Sequence, residues 1–162
     1  MYLIDNIIDS FKNKDIDIES YNSCFYSSFV FLLNVSVALY YGYYVYAGLF
    51  FTLLITSLFQ HSHYTFLTTV IDKIFIFSVS LYGGYIFYNK LVEYLNSEET
   101  LNTMHYIISF FIIFTFLSTI VLYYYGYFFK CFCYCEDPLQ ANLFHSFMHC
   151  VGSFGHCCIV LL

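Results

Sequence analysis

Charge is almost absent from two long tracts of this chain, and that absence decides what it can fold into. Between Tyr21 and Asn89 the only charged side chains are Asp72 and Lys73; between Leu101 and Glu136 there is Lys130, and beyond Asp137 there are none. A soluble domain is about one quarter charged, whereas here 10% of residues are charged and 60% are hydrophobic. The apolar runs continue for roughly twenty residues, the length of helix that crosses a bilayer, while a membrane β-strand needs only about ten residues of alternating character. The sequence therefore predicts an all-α fold, a polytopic transmembrane helical bundle. At 162 residues, one bundle accounts for the whole length.

Two regions follow from the charge pattern. Residues 1–22 are polar and acidic, and Ile4, Ile7, Ile8 and Phe11 recur at the spacing of a short amphipathic helix lying on a membrane surface. Residues 23–162 form the transmembrane domain, with five expected spans: Cys24–Tyr41, Tyr44–His63, Val70–Tyr88, Met104–Phe128, and a last one from Pro138 onward. The aromatic stretch Tyr40-Tyr41-Gly42-Tyr43-Tyr44 separates the first two, and a polar loop with Lys90, Glu93, Glu98 and Glu99 follows the third. Asp137-Pro138 reads as an N-cap followed by a first-turn proline. The net charge of −6 argues against nucleic acid as a partner.

Alternating spans put three histidines at one depth. The second span runs toward the side of the N-terminus and carries Ser57 and His61 near its end. The third leaves that side with Asp72 near its start, and the fifth leaves it with His145 and His149 in its early turns. Ionisable side chains within a membrane are costly, so they are functional candidates by default. His145 and His149 are i, i+4 on one helix face, with Cβ atoms about 5–6 Å apart, a spacing at which two imidazoles reach one zinc ion. His61 would be the third ligand. Three protein ligands leave a fourth position for water, whose pKa zinc lowers toward neutrality. Ser57, one turn before His61, is placed to bond that water or an oxyanion; Asp72 is placed to orient a ligand or take a proton. Each residue also has a plainer reading: a histidine bonded to a neighbouring helix, a serine back-bonded to its own helix, an interfacial Asp72–Lys73 ion pair.

The other histidines fall elsewhere. His156 shares the stripe of His149 but lies two turns, about 10 Å, further along. His63 points away from His61, and His105 opens the fourth span on the opposite side. Gly152 and Gly155 suggest close helix packing or a lipid-sized gap. Lys12, Lys14, Lys73 and Lys130 lie on the side of the N-terminus, with Lys90 opposite. The positive-inside bias then places the N-terminus and the histidine layer in the cytosol.

These residues resemble the membrane hydrolase superfamily that includes alkaline ceramidases, progestin-and-adipoQ receptors and myomaker. The pattern is a serine four residues before a histidine (Ser57-Leu-Phe-Gln-His61), an aspartate on the next helix (Asp72), and HxxxH in the last helix (His145-Ser-Phe-Met-His149). Phe144–Cys150 and Tyr43–Ala47 are most similar to the myomaker branch; the His61-to-Asp72 gap is closer to the ceramidases. The resemblance implies a zinc site of three histidines, hydrolysis of a lipid amide assisted by the serine and aspartate, and a membrane lipid, ceramide-like or another acyl lipid, as partner. It implies seven spans where five are expected here. Loss of one pair keeps the last helix in its direction but leaves the lipid pocket half-walled, so a homo-oligomer or another partner could complete it. A non-enzymatic fusion or remodelling factor and a lipid sensor, each keeping zinc structurally, are the competing readings.

Seven cysteines remain. Cys131, Cys133 and Cys135 alternate beside the membrane without the CxxC spacing of zinc modules, and juxtamembrane cysteines are sites for palmitoylation. Cys150, Cys157 and Cys158 read as small apolar fillers of the last span.

Overall fold

The computed structural model describes residues 18–96 and 103–162. The amphipathic helix expected around Ile4–Phe11 lies outside them, as do Glu98 and Glu99. Among the described residues every element is helical, and five helical stretches are long and apolar enough to cross a membrane. The chain is an all-α, multi-pass membrane protein. Its polarity is inverted relative to a soluble domain. Phe77, Leu81, Phe110 and Phe114 are exposed on the outside, while Asn34, Ser57, Asp72, His149, Ser153 and His156 are buried, as a lipid solvent demands.

The first span is bent. Helix α1 (Ile18–Ser28) and α2 (Phe31–Tyr40) meet at a turn over Phe29 and Val30. The hydroxyls of Ser27 and Ser28 both donate to the Cys24 carbonyl, at 3.0 and 2.8 Å. Such back-bonding bends helices, and the next two amides close tight i→i+3 bonds to Tyr26 and Ser27. The span was expected to be continuous; two adjacent serines are the reason it is not. Helix α2 then stops as expected in the tyrosine-rich turn. Gly42 adopts φ +79°, its amide donates to Leu39 and that of Tyr43 to Ala38. This is a Schellman termination, which glycine's freedom at positive φ permits.

Helix α3 (Tyr44–Ser62) and α4 (Phe66–Asn96) follow. The 31 residues of α4 span about 46 Å, well beyond a bilayer core of about 30 Å. Lys90 and Glu93, expected in a loop, are helical. The reason is a long-range partner: Lys90 Nζ donates to the Val160 carbonyl at 2.8 Å, a cation placed where a helix exposes its last carbonyls. Helix α5 (Thr103–Ile120) passes through a π-helical turn (Val121–Tyr125) into the short α6 (Gly126–Phe129) and a 3-10 turn (Phe132–Tyr134). The last span, α7 (Pro138–Leu161), starts as expected: Asp137 accepts from the Leu139 amide at 2.9 Å, with Pro138 in the first turn.

Helix α7 is the axis of the bundle, packed against α1, α2, α4 and α5, while α3 packs on α1, α2 and α4. Gly155 lets α5 approach closely, because a Cβ there would lie 2.1 Å from Thr115 Oγ1. Asn34 ties α2 to α7 through Nδ2, which donates to the Ser153 carbonyl at 2.8 Å. Helices α2, α3, α4, α5 and α7 together line a cavity in the bundle.

Candidate metal centre

The structure brings His61, His145 and His149 together. His61 sits at the end of α3, and the other two project from successive turns of α7. Ring centroids are 5.3 Å apart for His61 and His145, 5.5 Å for His61 and His149, and 5.0 Å for the α7 pair. One nitrogen from each ring lies within 4.8 Å of the others, and among the described residues this is the group of His, Cys, Asp and Glu side chains spaced to hold a metal ion.

A hydrogen bond decides which nitrogen of His149 keeps its lone pair. Ser27 Oγ lies 2.8 Å from His149 Nδ1. The single Ser27 hydroxyl proton goes to the Cys24 carbonyl, so Ser27 accepts from Nδ1–H, and the lone pair of His149 is on Nε2. A ligand imidazole held through its other nitrogen is the usual arrangement around a protein-bound metal. Ser28 repeats the logic one residue on: its proton also goes to Cys24, so Ser57 donates to Ser28 Oγ at 2.9 Å. The lone pairs of Ser57 Oγ then remain available. Two consecutive hydroxyls of α1 thus reach two separate site residues. Neither serine was expected in the site; the signal was a Ser-Ser pair near the start of the first span, which reads equally well as ordinary back-bonding.

Asp72 is 4% exposed. Its Oδ2 is 3.9 Å from Lys73 Nζ, a long contact to a lysine that also lies over the Tyr123 ring at 4.8 Å. Its Oδ1 is buried without a hydrogen-bond partner among the described residues. An orphaned carboxylate oxygen in a membrane interior is costly. Asp72, Ser57 and His149 all border one cavity of about 120 Å³, whose walls also include Phe50, Val79 and Gly152. An all-nitrogen triad with one ring nitrogen oriented by Ser27 is a donor set that fits a zinc ion, and its member His149 borders the same cavity as the unsatisfied carboxylate.

The remaining residues fall outside this cluster. His63 is exposed, and the His105 ring packs on Tyr94 at 4.3 Å. His156 borders the far end of the cavity. Cys131, Cys133 and Cys135 are half-buried free thiols and join no metal-spaced group among the described residues. Their loop folds back so closely that a Cβ on Gly126 would lie 2.6 Å from the Cys131 carbonyl. Of the last-span cysteines, Cys157 and Cys158 are buried as expected, but Cys150 is exposed: it lies one residue past His149, off the face that α7 turns inward. Comparison with protein-family models, with curated proteins and with solved structures found no match to this chain.

Proposed function

We propose that this chain is a zinc-dependent membrane hydrolase acting on the amide of an acyl lipid, a five-span relative of the superfamily that includes the alkaline ceramidases. The observation that carries the reading is the convergence of His61, His145 and His149 from two helices, with His149 bordering the same cavity inside the bundle as Ser57 and Asp72. The three imidazoles would hold the zinc. When bound, zinc supplies Lewis acidity and a water that ionises near neutral pH. Ser27 keeps His149 in the tautomer that offers Nε2. Ser57, its proton given to Ser28, accepts a hydrogen bond from a group entering the cavity. Asp72 takes a proton at Oδ1 and returns it to the leaving amine. The histidine layer and the N-terminus face the cytosol in this reading, supported by Lys73 and Lys130 on that side.

A second reading is a fusion, remodelling or lipid-sensing protein with a structural zinc. The cavity favours it in one respect: about 120 Å³ is below the roughly 300–1,000 Å³ of ordinary small-molecule sites. It accommodates a chain segment, so a whole lipid must extend out between helices, or a second subunit must complete the wall. The test is release of fatty acid from a short-chain ceramide by the purified protein in detergent. The hydrolase reading expects turnover that a chelator abolishes and zinc restores. Zinc-loaded protein without turnover on ceramide or other N-acyl lipids would leave the structural reading standing.

A further inference from the structure

The cavity has a second polar end. His156 is 8% exposed and borders the cavity two turns of α7 beyond His149, about 10 Å along the axis. Its Nδ1 is hydrogen-bonded to the hydroxyl of Tyr46, which is fully buried. Gly83 of α4 makes room for this pair, since a Cβ there would lie 2.5 Å from the Tyr46 hydroxyl and 2.8 Å from His156 Nδ1. Among the described residues Tyr46 has no other acceptor for its proton, so it donates to Nδ1, and His156 carries its own proton on Nε2. That Nε2–H has no protein partner among the described residues. Aromatic edges of Phe50 and Phe116 pack around the ring at 5.2 and 5.3 Å.

Ser80 stands one turn before Gly83 on α4 and borders the same cavity. Its neighbour Ser78 donates to its own helix at the Ile74 carbonyl, 2.8 Å away, as Thr52, Ser62 and Ser118 do on theirs. Ser80 makes no such bond and has no partner among the described residues. Two residues that border the cavity, His156 on α7 and Ser80 on α4, therefore carry an N–H donor and a hydroxyl with no partner among the described residues. Both are set in an apolar, aromatic lining, and buried polar groups of this kind are complementary to a ligand that pairs with them.

We propose that this end of the cavity is a recognition site for a hydroxyl group on the chain of an acyl lipid. The hydroxyl accepts from His156 Nε2–H and donates to Ser80 Oγ. The lipid's polar head lies at the histidine triad, whose nearer α7 member, His149, is about 10 Å away along the helix. An extended chain advances roughly 1.2 Å per bond, which puts the recognised hydroxyl about eight to ten carbons along. The inference rests on the reading of the cavity as an acyl-lipid site, and not on catalysis.

The experiment measures binding of 10-hydroxystearic acid, 18-hydroxystearic acid and stearic acid to the full chain in detergent micelles, by calorimetry, with zinc content determined on the same sample. The same titrations are run on Ser80→Ala and on the Tyr46→Phe/His156→Phe double variant, which removes both partners of the buried hydrogen bond together. Partition into micelles is common to all the proteins, so the ratio between them isolates the site. The expected result is about tenfold tighter binding of 10-hydroxystearic acid than of the other two, equivalent to about 1.4 kcal/mol. That preference is lost in either variant while stearic acid binding is kept. Equal binding of the three acids by wild type overturns the proposal and leaves the lipid-site reading intact. A preference that survives Ser80→Ala in folded protein also overturns it. Binding of none of the acids removes both the proposal and the lipid site, whatever the zinc content.

Discussion

Ser27 Oγ and His149 Nδ1 are 2.8 Å apart, joining the bent first span to the last one at the side chain that both borders the cavity and belongs to the triad. The bond makes Ser27 a positioning residue. Ser27→Ala should leave the bundle folded and weaken zinc binding by about 10- to 100-fold, the usual effect of losing an outer partner of a metal-bound imidazole. Chelator competition on the purified protein measures it. Unchanged affinity would show that the bond does not orient the ring.

Asp72→Asn should separate binding from chemistry. The substitution removes a buried charge whose Oδ1 has no partner among the described residues, so thermal stability should hold or rise and zinc content should stay at the wild-type level. Turnover of a lipid amide should fall by about 10²–10⁴, the contribution of a positioned general acid–base group. Retained turnover would remove Asp72 from the mechanism.

Two glycines should respond oppositely to alanine. Gly155→Ala drives a Cβ into Thr115, and overpacking of this kind costs about 1–3 kcal/mol. Gly48 is also helical, but nothing lies within 4 Å of its Cβ position; Gly48→Ala should be neutral or stabilising by up to about 1 kcal/mol. Thermal unfolding in detergent compares the two. Equal effects would mean that α5 and α7 are not in close contact at Thr115.

Lys90→Met should loosen the end of α7. It removes the donor to the Val160 carbonyl but keeps the apolar stem, and a hydrogen bond to a charged group is worth about 1.5–3 kcal/mol. Hydrogen exchange of the last turn of α7 should accelerate while the triad's zinc affinity is unchanged. Unaltered exchange would make the contact incidental.

The sequence made the spans legible because lipid leaves only a helix to satisfy the backbone of an apolar twenty-residue run. It made His61, His145 and His149 legible because alternation fixes depth and the i, i+4 spacing fixes a face. What it could not give depends on where hydroxyls point. Ser27, Ser28, Ser57 and Ser80 have one chemistry, yet three reach across helices and the fourth borders the cavity, while Ser78 merely bonds its own turn. The helical placement of Lys90 was hidden for a related reason: its partner is a carbonyl 70 positions away. The Tyr46–His156 pair was half-legible, since the spacing that excluded His156 from the triad also placed it at the other end of the same stripe.

Metal analysis of the purified chain tests the central claim most directly. Wild-type protein, prepared without added metal or chelator, should carry about one zinc per chain. His61→Ala, His145→Ala and His149→Ala should each lose it, and His156→Ala should retain it. Zinc absent from wild type and not taken up on addition, or zinc retained when His145 is replaced, would contradict the assignment of the three imidazoles as its ligands.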